Sequence, residues 1–339
     1  MHKVRQVVLG ALVFAATLAI LSGLGAVARN SGIGGSAAPS SSGRPAAVAS
    51  ASASARASAS AGAASPSASS SASTASDPVL IGAGDIARCD SGADTDTAAL
   101  LARQTGTVFT AGDNAYPQGT AAQFTDCYAP TWGKELARAR PTAGNHDHDT
   151  ADLAGYLGYF GGAAAPQGTS WYSYDLGTWH VIALDATCDA VGGCGPDSAQ
   201  GRWLAADLAA STATCTLAIW HQPRFSSGLH GNDTQVAPFW DALYAAGADA
   251  VVNGHDHDYE RFAPQDPNAN ADAARGIREF VVGTGGAELR DFGTQQANSE
   301  LEVSGYYGVI RLILHPGWYE WAFRTTAGSD LDAGSADCH

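Results

Sequence analysis

Five short runs in this chain each end in side chains that can hold a metal ion. Val79-Leu80-Ile81 leads to Gly84-Asp85, and Val108-Phe109 leads to Gly112-Asp113-Asn114-Ala115-Tyr116. Arg140-Pro141-Thr142-Ala143 leads to Gly144-Asn145-His146-Asp147. Leu217-Ala218-Ile219-Trp220 ends in His221, and Val251-Val252-Asn253 ends in Gly254-His255-Asp256-His257. Carboxylate, amide, phenol and imidazole donors without thiolate suit iron, manganese or zinc. Taken singly the pieces say little: Gly-Asp after a strand is usually a turn, Asn145 could cap one, Tyr116 could pack, and a lone His221 could be a core histidine. His255 and His257 say more, because residues two apart on an extended segment face the same side. In α/β sheets ligands bind outside the carboxyl ends of strands. Five such ends in this order therefore point to one shared crevice.

The elements that must position these groups follow from the hydrophobic pattern. Strands are expected at Val79–Ala83, Val108–Ala111, Trp171–Asp175, Trp179–Asp185, Cys215–Trp220, Ala250–Asn253, Arg278–Val282, Gly308–His315 and Tyr319–Arg324. Helices are expected at Thr95–Gln104, Ala121–Tyr128, Ala199–Ala210 and Gln235–Ala246. Early alternation of strand and helix implies parallel pairing, and the two runs flanking a Gly-Thr turn near residue 177 imply a hairpin. Both fit a mixed α/β sandwich with helices outside. Gly283-Thr284-Gly285-Gly286 follows a strand, but no helix or lysine follows it as a phosphate-binding loop requires. A tight turn that brings backbone close to the crevice is the better reading. His180 reads as a packed or sheet-face histidine, His148 as solvent-facing, and Asp185 as a capping or turning residue.

The ordered set Gly84-Asp85, Gly112-Asp113-x-x-Tyr116, Gly144-Asn145-His146-Asp147, His221 and Gly254-His255-x-His257 resembles the calcineurin-like metallophosphoesterases, and more narrowly their purple acid phosphatase branch. The resemblance covers residues 84–257. It departs from the family pattern in having Ala87 where many members carry a histidine, Asp147 where Glu is common, and Ala218 where Val is common. It implies a four-layer αββα sandwich of two mixed β-sheets flanked by helices. It also implies two metal ions bridged by Asp113, one held by Asp85, Tyr116 and His257 and the other by Asn145, His221 and His255. A bound tyrosinate needs a cation acidic enough to lower a phenol pKa of about 10, so Fe(III) beside a divalent Fe, Zn or Mn ion is expected.

The activity implied is hydrolysis of phosphate monoesters by a metal-activated hydroxide, with two ions about 3.5–4 Å apart in an in-line displacement. His146, next to Asn145, is then the group that protonates the leaving oxygen, and His230, nine residues after His221, is a substrate-facing histidine. A phosphodiesterase or nucleotidase with the same centre is the alternative, and a non-catalytic metal-dependent phosphate-binding module is a third reading.

Composition bounds the partners. The chain of 339 residues has 18 Lys plus Arg against 33 Asp plus Glu, a net charge of −15. Residues 1–77 carry five Lys or Arg and one Asp, so the remaining 262 residues carry −19. Nucleic-acid affinity rests on cations facing phosphates, so a small phosphorylated substrate is expected and a nucleic-acid polymer is not. With Fe(III) and a divalent ion, the inner charges of Asp85, Asp113, tyrosinate and hydroxide leave about +1, enough to draw an anion into an acidic protein.

Residues 1–28, with a basic head, an apolar run from Val7 to about Leu24 and Ala26-Val27-Ala28, read as a signal peptide. Left uncleaved, the segment would be an anchor and the protein would be tethered at the cell surface, its only route to a membrane. Residues 29–77, rich in Ala and Ser, read as a disordered linker, and residues 78–339 as the catalytic domain. In an exported chain six cysteines suggest disulfides, although they allow 15 pairings. Cys188–Cys194 is the easiest local pair. Cys89–Cys127 and Cys215–Cys338 are assigned for the rest, the last clamping the carboxyl terminus.

Overall fold

The computed structural model describes residues 77–339. The expected signal peptide and linker lie outside the described residues, apart from Asp77 itself. Thirteen strands run in chain order as β1 (Val79–Ala83), β2 (Thr107–Ala111), β3 (Ala139–Thr142), β4 (Tyr172–Leu176), β5 (Trp179–Ala183), β6 (Cys215–Ile219), β7 (Ala250–Asn253), β8 (Tyr259–Phe262), β9 (Arg278–Val282), β10 (Ser299–Val303), β11 (Gly308–His315), β12 (Trp318–Thr325) and β13 (Asp330–Asp337). They form two mixed sheets, one ordered β13-β12-β11-β1-β2-β3 and the other β10-β8-β9-β7-β6-β5-β4. In the first sheet β1, β2 and β3 are parallel. In the second β5, β6, β7 and β9 are parallel. The expected hairpin is β4–β5, antiparallel.

Side chains alternating along the second sheet explain the layering. Val181, Leu217, Ile219, Val252, Phe280 and Val282 point into the core shared with the first sheet, beside Leu312, Tyr319 and Phe323. Their neighbours Ile182, Ala218, Val251 and Val281 point the other way, onto Leu204, Phe239, Trp240 and Leu243 of the helices Ala199–Ala210 and Ala237–Ala246. A strand buried on both faces reads as a continuous apolar run, which is how these central strands appear in the sequence. The helix Ala93–Leu101 packs on the first sheet, with Leu100 beside Ile81 and Val309. Helix, sheet, sheet and helix thus make the four-layer αββα sandwich.

Several details differ from expectation. The segment 121–128 is one α turn, Ala121–Gln123, continuing as a π turn, Phe124–Tyr128. Its start is set by a reciprocal cap: Gln123 N donates to Thr120 Oγ1 and Thr120 N donates to Gln123 Oε1. β3, β8, β10 and β13 lie outside the expected strand ranges, and the helix Ala154–Phe160 outside the expected helices. Three disulfides join Cys89 to Cys127, Cys188 to Cys194 and Cys215 to Cys338, the pairing assigned above.

Candidate metal centre

The carboxyl ends of β1, β2 and β3 in one sheet and of β6 and β7 in the other open onto one crevice. Backbone hydrogen bonding closes the seam between the sheets there, where Gly84 N donates to Val282 O, while Gly254 N donates to His221 O and extends the β6–β7 pairing to the crevice. Three residues at the crevice, Asp85, Asp113 and His255, have left-handed backbone with φ of 59°, 50° and 72°. Such conformations cost non-glycine residues free energy, persist only where the surroundings enforce them, and cluster at functional sites. Tight approach also explains the preceding glycines. A Cβ on Gly112 would lie 2.5 Å from His221 Nδ1, and one on Gly144 would collide with the Asp113 carboxylate.

Asp113 stands at the middle. Its Oδ2 lies 3.0 Å from Tyr116 Oη and 3.1 Å from His221 Nε2. Its Oδ1 accepts from His146 N at 2.9 Å. On one side Tyr116 Oη donates to Asp85 Oδ1 at 2.7 Å and lies 3.3 Å from His257 Nε2, which is 3.2 Å from Asp85 Oδ1. On the other side His221 Nε2 lies 3.3 Å from His255 Nδ1. Asp85, Asp113 and His221 each bring a donor atom within 4.8 Å of the other two. Asn145 opens the short helical turn Asn145–His148, and its Oδ1 is buried without a hydrogen-bond partner.

The imidazoles are aimed by carbonyls. His221 Nδ1 meets Ala111 O at 2.7 Å, and His257 Nδ1 meets Glu288 O at 2.5 Å. A carbonyl only accepts, so each Nδ1 carries hydrogen and each Nε2 turns inward toward the carboxylates. Asp147, fully buried, accepts from Gly144 N, Asn114 N and Asn114 Nδ2 and so fixes the turn that carries Asn145 and His146.

Charges are crowded. Burial raises the Asp113 carboxyl, but His221 and His146 outweigh it and hold it below the usual range. Asp85 behaves likewise: burial raises it, and His257 and His221 bring it below its ordinary value. Burial lowers His221, yet Asp113 and Asp85 push it up to about 10. His255 goes the opposite way, pushed down to about 3 by burial, His221 and His230. Burial and then the charges of Asp113 and Asp85 push the Tyr116 phenol well up. Two facing ring nitrogens, two buried carboxylates and an orphaned amide oxygen form a donor set that fits metal ions.

The seven residues expected as ligands line this one crevice, along with His146. The His146 side chain is about one-third exposed (35%), its Nδ1 meets Pro117 O at 2.7 Å, and its ring centroid is 4.6 Å from that of Tyr116. His230 stacks on His255 with centroids 4.2 Å apart. Gly285 N donates to Gly84 O at 2.9 Å, so the glycine turn 283–286 does bring backbone to the crevice. His148 is not solvent-facing: its Nε2 lies 2.9 Å from Asp185 Oδ2, and Asp185 also accepts from Ser170 Oγ and Thr187 N. A histidine one turn from Asn145 that meets a buried carboxylate has no reason to stay in water. His180 is buried between Asp207 and Asp175, away from the crevice. Sequence reasoning missed Asp256, Glu288 and Arg290. All three act across loops, and no spacing rule marks them.

The calcineurin-like phosphoesterase family matches residues 81–259. Purple acid phosphatase 21 of Arabidopsis thaliana is 28% identical over 221 residues, which are 57% of this chain and 49% of that protein. An uncharacterized protein of Mycobacterium tuberculosis is 30% identical over 183 residues, 43% of this chain and 35% of that protein. The chain thus spans about half the length, or less, of these curated relatives. In fold it is similar to the purple acid phosphatase PPD1 of yellow lupin seeds, with a TM-score of 0.61 and 17% identity over 78% of this chain and 54% of that one. The matched span begins inside β1 and ends at β8, so all five strand-end motifs fall within it: the chain belongs to the calcineurin-like phosphoesterase family, in its purple acid phosphatase-like branch.

Proposed function

We propose that this chain is an exported dinuclear-metal phosphoesterase that hydrolyses phosphate monoesters. The observation that carries the reading is the position of Asp113 Oδ2, between Tyr116 Oη and His221 Nε2, with Asp85 and His257 beyond one and His255 beyond the other. On this reading Asp113 bridges, Asp85, Tyr116 and His257 hold a ferric ion, and Asn145, His221 and His255 hold a divalent one. Bound there, the pair would supply Lewis acidity toward phosphoryl oxygens and acidify a water to a nucleophile near neutral pH.

The chain's own groups do the rest. His146 Nδ1 donates to Pro117 O, which leaves Nε2 as the working nitrogen, 3.9 Å from Asp113 Oδ2. Protonated, it can hand its Nε2 proton to the departing ester oxygen. His230, stacked on His255, would on this reading face the bound substrate. Three disulfides among the described residues support export, since such bonds persist in oxidising compartments.

Elemental analysis of natively expressed protein, run with paired aryl monoester and diester assays, tests the reading. Two metals per chain, one of them iron, with monoester turnover are expected. Faster diester turnover would favour the phosphodiesterase alternative, and phosphate binding without turnover the non-catalytic module. Tyr116→Phe should remove any visible phenolate-to-iron absorption while keeping the fold. An unchanged spectrum would take Tyr116 out of the iron's ligand set.

A further inference from the structure

Beside His255 the crevice is walled by two loops that are tied to each other. The loop 222–232 after β6 carries His230 and is held from beneath by three buried carboxylates. Glu279 accepts from Arg224 N at 3.0 Å and Phe225 N at 3.3 Å. Glu260 accepts from Ser227 N at 2.8 Å and Ser227 Oγ at 2.5 Å. Asp256 accepts from Ser226 Oγ at 2.5 Å, His230 N at 2.8 Å and His230 Nδ1 at 3.1 Å. With Nδ1–H directed at Asp256, a neutral His230 keeps its lone pair at Nε2. Arg290 Nη1 lies 2.9 Å from that Nε2.

Arg290 belongs to the second loop, which is registered to the centre. Its backbone N donates to His257 O at 3.0 Å, and Glu288 O, two residues earlier, accepts from His257 Nδ1 at 2.5 Å. Gly293 N donates to Ser227 O at 2.7 Å and Gln296 N to Ser227 Oγ at 2.9 Å, joining the two loops. The guanidinium is only loosely neutralised. Its Nη2 reaches Glu288 Oε1 at 3.4 Å, and Glu288 also pairs with Arg88, which Asp90 holds from its other side. Arg290's side chain keeps 29% of its exposure. Among the twelve arginines after residue 77, Arg88 and Arg290 alone form ion pairs with Glu288.

We propose that Arg290 is a specificity-determining residue: held by His230 and Asp256, its guanidinium receives the second negative charge of a phosphate monoester dianion and so favours monoesters over diesters. The inference rests on the phosphoesterase reading above. A pair of cations attracts any phosphoryl anion, whereas a monoester dianion offers one more free oxygen and one more charge than a diester. A planar guanidinium matches two such oxygens in a way an ammonium does not. His230, with Nε2 engaged by Arg290, is then a positioning residue, as is Asp256 behind it.

The test compares wild-type protein with Arg290→Ala and Arg290→Lys, each loaded with metal. Aryl mono- and diesters with the same leaving group are assayed, and binding of inorganic phosphate is followed by calorimetry. Loss of one charge-assisted contact should cut monoester kcat/KM and phosphate affinity in Arg290→Ala by about tenfold to a hundredfold. Diester kcat/KM should fall by no more than about threefold, in line with a contact the diester barely makes, and Arg290→Lys should recover part of the loss. Equal falls for both esters, or an unchanged phosphate affinity, would overturn the proposal. If wild-type protein hydrolysed neither ester, the phosphoesterase reading would fail. Phosphate affinity alone would then decide Arg290, weakened affinity upholding it as an anion contact and unchanged affinity removing it.

Discussion

Asp113 serves both halves of the centre through one carboxylate. Oδ2 faces Tyr116 and His221, while Oδ1 holds the backbone of His146 and so places the turn that also carries Asn145. Its left-handed backbone, with φ 50°, is kept in place by this tight fit behind Gly112. No neighbour can substitute, because Asp85 Oδ2 is already committed to His255 N. Asp113→Ala should therefore lose both ions, seen as a fall from two metals per chain to fewer than about 0.2 after gel filtration, since a bridging ligand is shared by both sites. Two tightly held ions in that variant would show that Asp113 does not bridge. The loss should also disturb His221, whose high pKa depends on the Asp113 charge opposing its burial.

At the scale of elements, the segment from Gly254 into β8 does most of the positioning. It turns His255 and His257 into the crevice and Asp256 under the loop 222–232, and it leaves Asp258 buried with neither carboxylate oxygen partnered. Burial, then the charges of Asp256, Glu260 and Asp85, push Asp258 up to about 9. Raised above its unfolded value near 4, this group favours folding at low pH and loses that contribution as pH rises through the window from about 4 to about 9. Asp258→Asn removes the proton requirement, so it should raise stability more at pH 8 than at pH 5, measured by urea denaturation in the presence of a chelator. An equal change at both pH values would mean that Asp258 is ionised in the fold. The same segment marks where sequence stops being legible. The ligand-type residues could be found because each follows an apolar run, and central strands buried on both faces announce themselves. β8 reads Tyr-Glu-Arg-Phe, with Glu260 buried against Ser227 and Arg261 half-buried against Asp332. β13 reads Asp-Leu-Asp-Ala-Gly-Ser-Ala-Asp, an edge strand without apolar alternation, held through Asp332 by Tyr259, Arg261 and Trp321. Asp256 and Arg290 escaped for the same reason: their partners lie 26 and 60 residues from them in sequence.

Across the whole molecule, the two sheets are fastened at opposite ends. At the carboxyl ends the crevice is itself the joint: His221 of the second sheet bonds Ala111 O of the first, and His255 N bonds the Asp85 carboxylate. At the amino end of β6 the joint is covalent, where Cys215 meets Cys338 just past β13. Asp249 reinforces it by accepting from Thr216 N and His339 N. The bridge closes 123 residues of chain, and a loop of that length restricts the unfolded ensemble strongly. Replacing both cysteines, Cys215→Ala with Cys338→Ala, should lower the unfolding free energy by about 2–5 kcal/mol. Because the ligands close the far end through their own hydrogen bonds, metal content and monoester turnover at 25 °C should stay at wild-type levels in the same variant. A parallel loss of metal would mean that the core between the sheets transmits slack from one joint to the other. An unchanged unfolding midpoint would mean that Asp249 and the shared aromatic core, with Trp179 edge-on to Tyr319 at 5.5 Å between ring centroids, already hold that end without the bridge.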